Sequence, residues 1–191
     1  MGNTPTIGVK GLCYAVATVA ADGSVTYGTV KPINQVQKIG LSVASSQDKY
    51  YADDSTVDII NNFDSATVTI DTYGLDNATL AELEGHTVDA NGIMVEKSSD
   101  EAPYIALGFK SLKRNSKYRL VWLLLGKKQN DNEEYETIKD KQDPKSATST
   151  FQFVPRADKN WRYKVDEDDA TVAADILTKF FTNVYDGTLP A

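Results

Sequence analysis

Six consecutive apolar residues, Leu120 to Leu125, stand between Arg119 and the run Gly126-Lys127-Lys128. No longer apolar run occurs in the chain, and six residues fall far short of the roughly 20 that span a bilayer. Leu120, Trp122 and Leu124 occupy one side of an extended strand, and Val121, Leu123 and Leu125 the other. A strand that is apolar on both faces must be covered by protein on both, so this one marks the centre of the core. Each of the six side chains contributes on the order of 1.5 to 3 kcal/mol on burial, before the entropy of ordering it is subtracted. Its natural partner is Tyr104 to Lys110, where Ile105, Leu107 and Phe109 alternate with other residues, joined to it through the polar turn Lys113 to Ser116.

The rest of the chain is punctuated in the same way. Leu12 to Val30 holds two β-rich runs around Asp22-Gly23, a hairpin signal. In the first run Leu12, Tyr14 and Val16 oppose Cys13, Ala15, Ala17 and Val19, again apolar on both faces, so Cys13 reads as a small buried hydrophobe. A strand is expected from about Val36 to Val43. From Ala66, the residues Ala66, Val68 and Ile70 share one face and Thr67, Thr69 and Asp71 the other. Asp76 or Asn77 can cap a short helix over ATLAELE, which Gly85 ends; Asn91-Gly92 then turns a second, short hairpin. Thr148 to Val154 and Asn160 to Val165 are further strands.

Near the end, Val172, Ile176, Phe180 and Val184, with Leu177 and Phe181 beside them, follow a 3.6-residue period, predicting a helix at about 169–185. The acidic run Asp166, Glu167, Asp168, Asp169 suits the positive end of its dipole, and Gly187 and Pro190 stop it. The class is β-rich α+β: some eight strands, one short helix and one longer flanking helix, arranged as a sandwich or barrel. With 191 residues, a single domain over 1–191 is expected.

Two segments of about twenty residues interrupt the strands. Ser45 to Ser65 is polar and Asp-rich yet carries Tyr50, Tyr51, Ile59, Ile60 and Phe63, and reads as a long loop at about 45–65. Its side chains either fold back on their own domain or order against a neighbouring subunit, since tyrosine brings large contact area with a polar handle. Gly126 to Lys145, the loop at about 126–146, is charged with mixed sign and reads as a solvated loop or a hairpin extension.

Composition removes several function classes. A single Cys13 excludes an intramolecular disulfide, and with His86 as the only imidazole a structural zinc site of Cys/His ligands is excluded too. The N-terminus lacks a basic stretch followed by an apolar one, so a cytosolic protein or one released without a signal peptide is expected. Twenty Lys and Arg against 27 Asp and Glu give a net charge of -7, which argues against DNA wrapping or reading. Phosphate-loop, dinucleotide and nucleophile-elbow glycine patterns are all missing. His86, directly after Gly85, reads as structural rather than catalytic, and Asp53-Asp54 and Asp166 to Asp169 lack calcium-loop spacing, so they read as turns and caps. No enzyme, no cofactor and no metal are expected.

The order of features resembles the major tail tube protein of bacteriophages with long, non-contractile tails. The matching pieces are GVKGLCYAVAT with a DGSVTYGT hairpin, KYYADDSTVDI, a strand and short helix, and GHTVDANGIMVE. APYIALGFK, YRLVWLLLGKK, STFQFVPR and the terminal FFTNVYDG follow in the same order, covering nearly the whole chain. The resemblance implies two packed, mostly antiparallel sheets with a flanking helix, and assembly into hexameric rings that stack as a tube through which DNA passes without specific binding. It further implies a tape measure protein inside the tube, tail terminator and distal tail proteins at its ends, and a virion part assembled in the host bacterial cytoplasm. In the family the long loop after the third strand reaches a neighbouring subunit or ring. The matching residues here are Tyr50, Tyr51, Asp53 and Asp54, the expected inter-subunit contact patch. The rival is a monomeric β-sandwich module binding carbohydrate or protein, with Trp161 as its exposed aromatic.

Overall fold

The computed structural model describes residues 4–52, 55–130, 137 and 146–188, and their side chains except at 48–52 and 55–58. The fold is β-rich α+β, with two antiparallel sheets and two helices. The strands are β1 (Thr6–Val19), β2 (Val25–Tyr27), β3 (Lys31–Pro32), β4 (Val36–Ala52), β5 (Ser55–Thr72), β6 (Thr87–Val88), β7 (Met94–Val95), β8 (Tyr104–Lys113), β9 (Tyr118–Lys128), β10 (Ala147–Phe153) and β11 (Arg162–Asp166). The helices are α1 (Asn77–Glu84) and α2 (Ala174–Lys179). Among the described residues, no helix is long and apolar enough to cross a membrane.

The two sheets are unequal. Nine strands form one sheet in the order β2-β1-β8-β9-β10-β5-β4, with β11 on β9 and β3 on β1, while β6 and β7 make a two-stranded ribbon. β1 also lies against β4 from the other end of that order, so the large sheet curls back on itself. Its concave side holds one cluster: Leu12 and Tyr14 from β1, Val68 and Ile70 from β5, Ile105 and Leu107 from β8, Leu123 from β9, Phe151 and Phe153 from β10, sealed by Leu83 of α1. Its convex side holds a second: Cys13, Ala15, Ala106, Leu120, Trp122 and Leu124, covered by Phe180 and Val184 beyond α2. The double apolar pattern is thus explained for Leu12 to Ala15 and for Leu120 to Leu124, because each strand contributes alternate side chains to opposite clusters, whereas Val19, expected on a covered face, is 40% exposed at the end of β1. All six residues from Leu120 to Leu125 are buried.

Local chemistry fixes the connections. Asp22 accepts from the Ser24 backbone N–H at 2.9 Å, and β1 and β2 pair around that turn. Asp76 caps α1 by accepting from the Thr79 N–H at 3.3 Å. Gly85 ends α1 at φ 80, where a Cβ would stand 2.1 Å from the Glu101 carbonyl oxygen, so both the backbone angle and the close approach require glycine. At Gly108 a Cβ would meet the Trp122 ring at 2.7 Å; a bare backbone there lets the indole lie flat on β8. The Cys13 Sγ donates to the Gly108 carbonyl at 3.4 Å, and burial pushes the thiol up to about 12.

The structure corrects two expectations. The helix expected at 169–185 is only Ala174–Lys179, and its N-cap, Ala173, makes no side-chain cap bond. The acids before it are drawn instead to the base of the β8–β9 turn. Arg119 holds Asp166 through Nε at 2.6 Å and a terminal nitrogen at 2.8 Å, and Lys113 reaches Asp166 at 3.0 Å and also pairs with Asp168. Lys117 pairs with Glu167 at 3.3 Å, and Asp169 folds into a turn with Thr171. At the far end the Trp122 indole N–H takes the Phe180 carbonyl at 2.7 Å, and the chain tightens into turns that lay Phe180 and Phe181 on the sheet. The 3.6-residue apolar period therefore recorded which residues face the sheet rather than a continuous helix.

The second correction concerns 45–65. Residues 45–52 and 55–65 are not loop but the distal parts of β4 and β5, paired antiparallel from Ser45↔Phe63 to Ala52↔Ser55 with register shifts at Ala44/Ser45 and Tyr50/Tyr51. Most of the other expected loop, 126–146, lies outside the described residues; β9 runs to Lys128 and β10 begins at Ala147.

Candidate assembly surface

β4 and β5 hold 17 and 18 residues, far more than the sheet around them uses. On the inner side β10 pairs with β5 only between Ala66 and Thr72. Beyond Ala66 the β4–β5 ladder continues alone through Ser46↔Asn62, Gln47↔Asn61, Asp48↔Ile60, Lys49↔Ile59 and Tyr50↔Asp58. At about 3.3 Å per residue, the nine positions from Ala44 to Ala52 make a ribbon of about 30 Å. Neither strand of this ribbon gains a third partner among the described residues.

Its described side chains are mostly exposed, as is Val43 at its foot. Val43, Ile59 and Ile60 are exposed by 47, 48 and 41%. Ser46, Gln47, Asn61, Asn62 and Asp64 are also exposed, and Ser46 Oγ donates to Asp64 at 3.3 Å. Only the root is anchored. Phe63 stacks on Trp161 with ring centroids 4.4 Å apart and planes inclined by 17°, and the Arg162 guanidinium lies 4.3 Å from the same indole. A bulge between Ala44 and Ser45 lies at this root.

The structure brings Tyr50 and Tyr51 together at the distal end of β4, with Asp58 and Thr56 as their backbone partners. Their side chains, and Asp53 and Asp54 altogether, lie outside the described residues. The other sequence candidates have local employment. His86 sits between Glu84, 3.2 Å from Nε2, and Asp100, 2.9 Å from Nδ1, and Glu84 also pairs at 2.5 Å with Lys128, whose side chain is fully buried. That chain ties α1 and the segment after the β6–β7 ribbon to the end of β9. Trp161, expected to be more exposed as a ligand candidate, is half-buried against Phe63 and Arg162.

The acidic run was misread in sequence because its partners are distant. Asp166 is held down at about 2, first by the Arg119 hydrogen bonds and then, against the effect of burial, by Lys113. Burial would lower the Lys113 ammonium, but Asp168 and Asp166 outweigh it and hold it raised. The signal that could have revealed this clamp is the matching set of cations, Lys113, Lys117 and Arg119, flanking one tight turn. Neither a protein-family model nor a curated protein matches the chain.

Proposed function

We propose that this chain is a structural protein that assembles with copies of itself, the repeating unit of a phage-type tail tube in which hexameric rings stack around a passage for DNA. The observation that carries this reading is the β4–β5 ribbon beyond Ala66, whose strands find no third partner among the described residues and whose Ile59 and Ile60 are exposed, with Phe63 at its root packed against a core cluster. A two-stranded ribbon alone in water is marginal, and long open strand edges invite pairing with another chain. Natural monomers blunt such edges, whereas a closed ring uses them. The net charge of -7 supports the passage, since an acidic lining repels phosphates and lets DNA move without sticking. In this role the protein is a virion component made in the host cytoplasm, meeting a tape measure protein in the lumen and terminator and distal tail proteins at the tube ends.

Tyr50→Ala with Tyr51→Ala tests the assignment. The purified variant should keep the wild-type circular dichroism spectrum, because the backbone around these residues pairs only within the hairpin. Electron microscopy should show tubes for the wild type and none for the variant. Normal tubes from the variant would remove Tyr50 and Tyr51 from the contact patch.

A further inference from the structure

One pair of charges in the sheet is left opposed. Lys10 on β1 stands directly across from Lys110 on β8, Lys110 across from Leu120 on β9, and Leu120 across from Val165 on β11. That row of four strands holds two ammonium groups and no carboxylate. Like charges directly opposite on one face of an antiparallel pair repel, and sheets ordinarily avoid the arrangement or neutralise it. Here the Lys110 ammonium rests 5.1 Å above the Phe181 ring, which orients it without cancelling its charge. The cations that do find carboxylates among the described residues are Lys31, Lys113, Lys117, Arg119, Lys128 and Arg156. Lys10, Lys110 and Arg114 are not among them.

These three lie at one end of β1–β8. Thr6 pairs with Lys113, and the Arg114 N–H donates to the Pro5 carbonyl at 3.0 Å. Between Thr6 and Gly8 the register slips, and Ile7 stands 63% exposed, more than any other large apolar side chain among the described residues. Lys10, Lys110 and Arg114 thus make no ion pair among the described residues, and Ile7 is exposed near them in the register. The complement of these cations is in the same sequence: residues 45–65 hold Asp48, Asp53, Asp54, Asp58 and Asp64 against Lys49 alone, five negative charges to one positive, with Ile59 and Ile60 exposed among them.

We propose that Lys10, Lys110 and Arg114, with Ile7 beside them, form the seat on which the β4–β5 ribbon of a second copy docks. This rests on the self-assembly reading and names the face that receives the ribbon. Complementary charge sets the register and speed of such a contact, and the aliphatics give it a dry centre. A nucleic acid is a poorer occupant, because three cations on a chain of net charge -7 release few counterions.

A charge swap tests the seat. Lys10→Glu with Lys110→Glu (K10E/K110E) gives an acidic seat, and Asp48→Lys, Asp54→Lys and Asp58→Lys together (D48K/D54K/D58K) give a basic ribbon, four positive charges against two negative in residues 45–65; each variant then repels itself, while a mixture restores both attractive contacts. In sedimentation velocity over a concentration series, each variant alone should begin to associate at a concentration about tenfold or more above wild type. The equimolar mixture should return to the wild-type range, and added salt should weaken wild type and mixture alike. Lys10→Gln with Lys110→Gln keeps the test readable if the reversal costs the fold. Unchanged association of K10E/K110E beside an associating wild type would overturn the seat alone. Loss in both variants without recovery in the mixture would overturn the occupant. A wild-type chain that never associates would bring down the assembly reading as well. Duplex DNA bound by wild type and released by K10E/K110E would give the seat to nucleic acid and overturn the proposal.

Discussion

The β8–β9 hairpin and the distal β4–β5 hairpin are both antiparallel ladders with a local slip in register, yet their surroundings are opposite. In β9 every side chain from Leu120 to Leu125 is buried, with Leu123 in the concave cluster and Leu120, Trp122 and Leu124 in the convex one. In the distal ribbon the described side chains beyond the Phe63 root are exposed, Ile59 and Ile60 among them. Backbone pairing makes both into strands; what differs is who covers the side chains. Period-two alternation records only the intermediate case of one covered face, as in Ala66 to Ile70 of β5. The first hairpin belongs to stability, and the second, in our reading, to association.

That division breaks most easily at Trp122, the largest fully buried side chain in the molecule's described part. Trp122→Ala removes an indole packed between Gly108 and Phe181 and leaves the Phe180 carbonyl without its 2.7 Å donor. Urea denaturation should show a loss of about 3 to 5 kcal/mol. A cost below about 1 kcal/mol would mean that the convex cluster is not a working core.

Asp166 sharpens the comparison, because its clamp closes the turn of the stable hairpin. Its carboxyl sits at about 2 in the folded chain, below the usual value of about 4 when unfolded. A depressed folded value means that the clamp stabilises fully above about pH 4 and that this contribution disappears as the pH falls through about 2. Asp166→Asn should therefore cost about 1 to 2 kcal/mol near neutral pH, a modest figure because the carboxylate is 31% exposed, although it would leave the buried Lys113 with one partner fewer. In acid titrations of stability the variant and parent curves should converge between about pH 4 and pH 2. A constant gap across that range would place the effect in packing instead.

Legibility followed the same divide. Strands with one or two buried faces were readable because burial selects residue type: Leu12 to Val19, Ala66 to Ile70, Tyr104 to Lys110 and Leu120 to Leu125 all lie in the expected strands. Turn and cap chemistry was equally local, and Asp22-Gly23, Asp76 and Gly85 act as their residue types suggest. The distal ribbon was not readable, since Ser46, Gln47, Asn61 and Asn62 are exposed and their identities carry no strand period. The helix was overread for a related reason: Phe180 and Val184 are apolar because they face Trp122 and its neighbours, whatever backbone carries them. The Asp166–Lys113 clamp and the Lys10–Lys110 opposition depend on pairing across strands, which spacing along one chain does not display.

The smallest expected effect on stability comes from the ribbon itself. Replacing residues 47–61 with a two-residue Asn-Gly turn shortens β4 and β5 while keeping the Phe63–Trp161 stack and every contact of β5 with β10. The described side chains among residues 47–61 are exposed, so the free energy of unfolding should change by no more than about 0.5 kcal/mol, checked by urea denaturation. The same protein should lose self-association altogether in sedimentation velocity. A loss of several kcal/mol would show that the distal ribbon is held by its own chain and that the two hairpins differ in degree only. Unchanged stability with association intact would separate the ribbon from assembly and leave its open edges unexplained. Because the stack at Phe63 survives in the variant, a stability change could not be blamed on an unanchored root, and the measurement isolates what an uncovered pair of strands contributes by itself.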